Sequence, residues 1–429
     1  MISMADEKVL IVSDSLEGPT GFASNAANIA WCLANEFDVH VLGLQSVKDN
    51  EVVLDFSDDP RQVYQHKNYP RARELWDFGE RSVPLLIKEL EPDILITVND
   101  IQMVSHIPRT LYKHTMILDL IDMPAKRIRS ETDLFGEVRH ELIKLKERYP
   151  PKTKWIMYAP QDGEPPIPHW YETYYAADEV VAMSKYGQRI FKDYFMMDVD
   201  YIYHAVDTKT FYDVGKPEHL QDKFIVGDVN RNQPRKQPIR LIEAFAKFAK
   251  DKDDVLLYMQ MDWNDRFGWP LIYFVRDVYK IADKCMNPLP PGIPKAKMKE
   301  VYSAFDVNVM PTAGEGFGLP TIEAGACSKP TIATDYTTSK ELIIDGKPSP
   351  RGKLVPYKTL FWDKLDVAAV QRALIDTDKL AKALEYYYEN RDALEKHGKN
   401  ALEWVKKNVE IRVIEKKWIR KVKEVLDRV

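Results

Sequence analysis

The chain has 429 residues, 45% of them hydrophobic and 11% aromatic, so it is a folded globular protein too long for one ordinary core. Its formal net charge of −5 excludes a general attraction to nucleic acid. Three scattered cysteines (Cys32, Cys285, Cys327) offer neither a zinc spacing nor a disulfide framework, which points to a reducing compartment. The N-terminus shows no secretory signal, because the apolar run at 9–12 is short and follows Asp6 and Glu7. No apolar run approaches the ~20 residues of a membrane span. The expected location is the cytoplasm, with room for a peripheral position at the inner face of a membrane.

The first predicted element, Lys8 to Ser13, is a continuous apolar strand of the buried parallel type. A turn rich in glycine and proline follows, then a helix from about Ala23 to Asn35 and a strand at Val39–Gly43. Gly18 and Gly21 lie in this first loop, where Rossmann-like folds bring backbone close to a ligand, although the spacing is no dinucleotide fingerprint. Further strands are expected at 92–98, 115–120, 155–158, 179–184 and 201–203. Alternation of this kind predicts a parallel sheet covered on both faces. The stretch 126–154 is charged and helix-like, with Arg127, Arg129 and Arg139 among nine basic residues against five acidic ones. It reads as a solvated helix face or, alternatively, as a patch for an anionic membrane surface or polymer.

The pattern lapses between Asp207 and Lys223, a linker, and a second α/β series begins at Phe224. It comprises a helix from Pro238, a strand at 255–259, helices at 271–282 and through Tyr302, and strands at 307–310 and 331–333. Two charged helices, about 380–394 and 402–426, end the chain. Two domains are therefore expected: 1–208, and 209–412, with a C-terminal helix at about 413–429 packing back onto the first. Tandem sheets of this type leave a cleft where both end.

The chemistry concentrates after Val307–Met310. Gly314, Gly316 and Gly318 alternate, so the backbone is expected to take positive φ and admit a ligand. Leu319-Pro320 then opens a helix whose free N–H groups suit phosphate. Glu315 in the loop and Glu323 in the helix would repel a phosphate, so they are expected to accept from hydroxyls. Phosphate plus polyol implies a sugar nucleotide. In the second domain's first loop, Arg231 and Lys236 suit a diphosphate, whose charge they neutralise without a metal.

These residues resemble the donor-binding half of the family-four retaining glycosyltransferases of the GT-B fold. Arg231 and Lys236 match the basic positions of that family's Gly-Arg-x-x-x-x-Lys loop, with Asp228 and Asn230 replacing the usual neighbours of the arginine. Glu315 and Glu323 match its Glu-x7-Glu signature, with Gly316-Phe-Gly-Leu319 between them. Tyr203 to Phe211, the Gly18-to-Gly21 loop, Asp162-Gly-Glu-Pro165 and Met183 to Gly187 are similar to other parts of the family. The resemblance implies two Rossmann-like parallel-sheet domains facing across a cleft. It implies that Glu323 binds the ribose, Glu315 faces the donor sugar, and Gly316, Phe317, Gly318 and Leu319 present backbone N–H groups. It implies a metal-independent hexosyl transfer that needs no cofactor, from a UDP- or GDP-sugar to an acceptor. Gly21 is a further candidate on the donor side. In the first domain Asp162 is the foremost candidate to touch the donor sugar, Asp122 the second, and His169 and His204 sit in suggestive loops. The competing readings are a nucleotide-sugar epimerase or a sugar phosphorylase on the same fold, and a non-catalytic nucleotide-sugar binder.

Overall fold

A computed structural model describes residues 7–68, 78–111, 151–166, 171–266, 268–287, 292–345, 349–365 and 368–428. The expected strand at 115–120, the candidates Asp122 and His169, and most of the charged stretch 126–154 lie outside these residues. Of that stretch's cations, Lys152 pairs with Glu91 at 2.7 Å and Lys154 opens a strand. Among the described residues, no helix is long and apolar enough to cross a membrane.

Contacts divide the chain into two units. Unit 1 comprises Met1–Gln161, Pro166–Ile202 and Arg412–Val429, and unit 2 comprises Asp162–Pro165 and Tyr203–Ile411.

In unit 1 the central apolar runs (the first, fifth, sixth and seventh strands) are buried on both faces, while the third and fourth strands alternate buried and exposed residues. The strands are β1 (Lys8–Ser13), β2 (Asp38–Gly43), β3 (Asn50–Phe56), β4 (Asp59–Lys67), β5 (Ile94–Val98), β6 (Lys154–Ala159), β7 (Glu179–Ala182) and β8 (Asp200–Tyr201). The sheet order is β3-β4-β2-β1-β5-β6-β7-β8, parallel except for the β3–β4 hairpin. Helix α1 (Gly21–Leu33) starts where Thr20 Oγ1 accepts from the Ala23 N–H at 3.0 Å, and α2 (Lys185–Phe195) where Ser184 accepts from Gly187.

Unit 2 has a six-stranded sheet in the order β11-β10-β9-β12-β13-β14, every pair parallel. Its strands are β9 (Phe224–Val229), β10 (Val255–Gln260), β11 (Cys285–Met286), β12 (Val307–Met310), β13 (Thr331–Thr334) and β14 (Gly352–Val355). An antiparallel hairpin, β15 (Tyr357–Leu365) and β16 (Ala368–Ile375), follows and was not expected. The helices that matter here are α3 (Pro238–Phe248), α4 (Leu319–Ala326), α5 (Thr377–Glu389) and α6 (Arg391–Asn408). The core joins Leu241, Phe245 and Phe248 of α3 to Leu380, Leu384 and Tyr387 of α5 and to the inner strands.

The last helix, α7 (Ile411–Leu426), lies on unit 1. Trp418 meets Tyr158 edge to face at 5.0 Å, and the buried Lys421 ammonium reaches Glu179 at 2.9 Å and Asp200 at 2.5 Å. The chain ends in three helices where two were expected, with breaks at Asn390 and at 409–410. The helix expected at 271–282 is a short helix, a π turn at Phe274–Val278 and a 3₁₀ turn at Ala282–Lys284.

Candidate active site

The strand order of unit 2 reverses at β9, which has β10 on one side and β12 on the other. Loops leaving the C-terminal ends of β9 and β12 therefore begin side by side, at the point where open α/β sheets leave a crevice. The first loop runs through a 3₁₀ turn, Pro234–Lys236, into α3. The second runs from Pro311 to Gly318 and into α4. A bond from the Ala313 N–H to the Arg235 carbonyl, 2.7 Å, joins them.

Glu315 stands between the two loops. It is buried, and one carboxylate oxygen accepts from Lys236 Nζ at 2.5 Å with Arg235 Nη1 at 3.3 Å. Its backbone is fixed as well: the N–H donates to Thr337 Oγ1 at 3.0 Å, and Thr338 Oγ1 donates to its carbonyl at 2.5 Å. Burial would raise this carboxyl, but the two cations outweigh burial and hold it at about 2. Lys236 is pulled down by burial, against the opposing pull of Glu315.

Glycine serves this loop in two ways. A Cβ on Gly314 would lie 2.2 Å from the Asp162 carbonyl oxygen, so the position needs space. Gly318 takes φ +110° immediately before α4, so it needs the angle. Gly314 and Gly316 do not take positive φ, and the expectation that the loop as a whole would do so is corrected: close approach to Asp162, not backbone angle, demands Gly314. Leu319 and Pro320 open α4 as expected. Glu323 follows in its second turn, accepting from the Tyr302 hydroxyl at 2.6 Å. Burial raises its carboxyl, opposed by Lys295 and by the Tyr302 bond. Phe317 is buried with its ring 4.7 Å from that of His204, and burial drives the His204 imidazole down to about 3.

Two of the expected site residues stand elsewhere than the sequence pattern suggests. Arg231 is 55% exposed and pairs with Asp265 at 3.0 Å; the guanidinium beside Glu315 belongs to Arg235. Asp162, read with the first domain, clusters with unit 2. There the fully buried Arg372 of β16 grips its carboxylate, Nη1 to Oδ1 at 3.0 Å and Nη2 to Oδ2 at 3.2 Å, and also donates to its carbonyl. Arg235 Nε lies 3.8 Å from the same carboxylate. A chain of alternating charge thus runs Arg372, Asp162, Arg235, Glu315, Lys236. The motif spacing favours Arg231 and misses Arg235, although Arg235 adjoins Lys236 in one dipeptide; Arg372 sits in a hairpin that no motif marks. Gly21 opens α1 in unit 1, exposed.

Residues 288–404, which include the glycine loop, Glu315 and Glu323, match the family model described as "Glycosyl transferases group 1". The D-inositol 3-phosphate glycosyltransferase of Gordonia bronchialis is 32% identical over 170 residues, 38% of this chain and 35% of that protein. The chain thus spans about a third of the length of this curated relative. Among solved structures, sucrose-phosphate synthase from Thermosynechococcus elongatus superposes with a TM-score of 0.70 at 16% identity, covering 99% of this chain and 100% of that one. Anabaena HepE in complex with UDP-glucose superposes at 0.61 with 15% identity, covering 97% and 99%. The chain has the GT-B fold. Within that fold, the matched segment carries the glycine loop, both glutamates and Arg372.

Proposed function

We propose that the chain is a retaining, metal-independent glycosyltransferase, moving a hexosyl group from a nucleotide-diphosphate sugar to an acceptor hydroxyl. The observation that carries this reading is the buried Glu315, held at Lys236 and Arg235 where the sheet order reverses, with Glu323 eight residues on in α4. The match of this segment to group 1 glycosyl transferases supports it. HepE was solved with UDP-glucose, which makes UDP-sugars the first donors to test.

A diphosphate entering here takes up the N–H donors of Lys236 and Arg235, and the backbone N–H groups that open α4 face it as well. Glu315, released from its cations, accepts from hydroxyls of the transferred sugar, and Glu323 accepts from the ribose. The bond from the anomeric carbon to the diphosphate oxygen breaks, and the acceptor oxygen joins that carbon on the same face. The acceptor proton passes to the departing phosphate. Lys236 and Arg235 stabilise the charge that develops on the leaving group. Asp162, bridging Arg372 and Arg235, positions the latter.

The test is turnover of donor with and without candidate acceptors, in the presence of a chelator, with the product's anomeric configuration read by NMR. Release of nucleoside diphosphate with acceptor, insensitive to chelation and with retention, is expected. Lys236→Ala and Glu323→Ala should each weaken donor binding about 10–100-fold, the worth of a charged hydrogen bond. Unchanged turnover and donor affinity in both variants would sink the assignment of the site. Epimerised donor formed without acceptor would replace the transferase by an epimerase.

A further inference from the structure

One more carboxyl lies at this sheet edge, and the transfer described above does not use it. Asp228 is the last residue but one of β9, where the strand order reverses, and it is fully buried. Its Oδ1 accepts from Asn230 Nδ2 at 2.5 Å, while its Oδ2 is buried without a hydrogen-bond partner among the described residues. Such an atom is costly to leave unpaired, and a ligand group would complete it. The charged and titratable groups facing it are Lys236 from the 3₁₀ turn, Glu315 from the glycine loop and Tyr302 from the helix Met298–Ala304. The neighbouring strand β10 aligns Met259 with it and ends in the uncharged Gln260. Burial, the largest influence, lifts the Asp228 carboxyl to about 7; Asn230 and Lys236 pull it down and Glu315 pushes it up.

An ionised carboxylate at this place would repel a diphosphate, whereas a carboxylic acid can donate to it. Resting on the nucleotide-sugar reading above, we propose that Asp228 is a further donor-binding residue, its Oδ2 donating a hydrogen bond to the donor's diphosphate as a neutral acid. This bond makes donor binding proton-dependent near neutral pH. The sign follows from the acid being the binding form: affinity is full below the carboxyl's titration and falls as pH rises through it.

The experiment is calorimetric binding of UDP-glucose, GDP-mannose and ADP-glucose between pH 6 and 8.5. Sugar nucleotides hold both phosphates ionised throughout this range, so a titration there belongs to the protein. For the donor that binds, the dissociation constant of the wild type should rise above pH 7 with a slope approaching about tenfold per unit. Asp228→Asn, which keeps a donor and carries no charge, should flatten the profile. A flat wild-type profile overturns the inference while leaving the nucleotide-sugar reading intact, and needs no variant. So does an equal slope in Asp228→Asn, which would assign the titration to Lys236. Affinity that strengthens with pH would make Asp228 an ionised hydroxyl acceptor, and that too overturns it. No binding of any donor at pH 6 overturns both readings.

Discussion

Glu315 and Asp228 are buried carboxyls on one sheet edge that their surroundings drive in opposite directions. Glu315 has Lys236 at 2.5 Å and Arg235 at 3.3 Å, so its folded value of about 2 lies below the ordinary 4.5. A depressed acid stabilises the fold above its unfolded value and loses that contribution as pH falls toward the folded one. Urea unfolding should therefore show the wild type losing stability between about pH 4.5 and 2. Glu315→Gln should lack that component of the acid loss. Asp228 has the reverse sign: its folded value of about 7 lies above the ordinary 3.8, so ionising it costs stability as pH rises between them. Asp228→Asn should be more stable to urea than the wild type at pH 8 and not at pH 4, by an amount on the order of a few kcal/mol. Equal stability differences at both pH values would contradict the assignment of a buried acid whose Oδ2 lacks a partner among the described residues.

At the scale of elements, the inner parallel strands of both sheets were legible because each is a short apolar run between turn residues, whereas β11 and β14, two and four residues long and only partly buried, were not expected. The helix starts at Leu319 and Pro238 were legible through their prolines. The two hairpins were not. The β3–β4 turn places Ser57 and Asp58 at φ 56° and 53°, a conformation usually marked by Asn-Gly, and here it carries neither residue. The segment from Tyr357 to Ile375 has no glycine or proline at all, so nothing punctuates it as two strands. That omission matters for the site, since β16 supplies Arg372. The structure also shows why the loop 162–165 sits where it does. Gly163 packs on Val370, the Gln371 N–H donates to the Glu164 carbonyl at 3.1 Å, and Arg372 holds Asp162. Arg372→Met should free this loop and loosen Arg235. The expected result is faster amide exchange at 162–165 and donor affinity reduced about tenfold, with partial recovery in Arg372→Lys. Gly314→Ala, which puts a Cβ 2.2 Å from the Asp162 carbonyl oxygen, should have the same signature without removing any charge. Unaltered exchange in both variants would show that the hairpin does not hold the loop.

For the whole molecule, the chain's last helix belongs to the unit that its first strand begins. The anchor is Trp418, 1% exposed, with Ile414, Val422 and Val425 on the same face. Three- and four-residue spacing of these apolar residues made the helix itself readable, and the tryptophan marks its buried side. Trp418→Ala should cost about 3–5 kcal/mol and lower the melting of unit 1, while nucleotide-sugar binding at 20 °C persists because Lys236, Arg235, Glu315 and Glu323 all lie in unit 2. Loss of donor binding in the folded variant would show that unit 2 does not hold the donor alone. The proposed donor site draws on residues 162, 228–236, 302, 315–323 and 372, spread over about half of the chain yet gathered at one strand-order reversal. We propose that a nucleotide-diphosphate sugar binds there, through Lys236 and Arg235 at the diphosphate and Glu323 at the ribose. The most direct test is calorimetric titration of a panel of UDP-, GDP- and ADP-sugars into the wild type, Lys236→Ala and Glu323→Ala at pH 6.5. Sugars of one base should bind the wild type, and each variant should weaken them at least about tenfold. Binding of equal strength in all three proteins, or of no donor in any, would contradict the proposal.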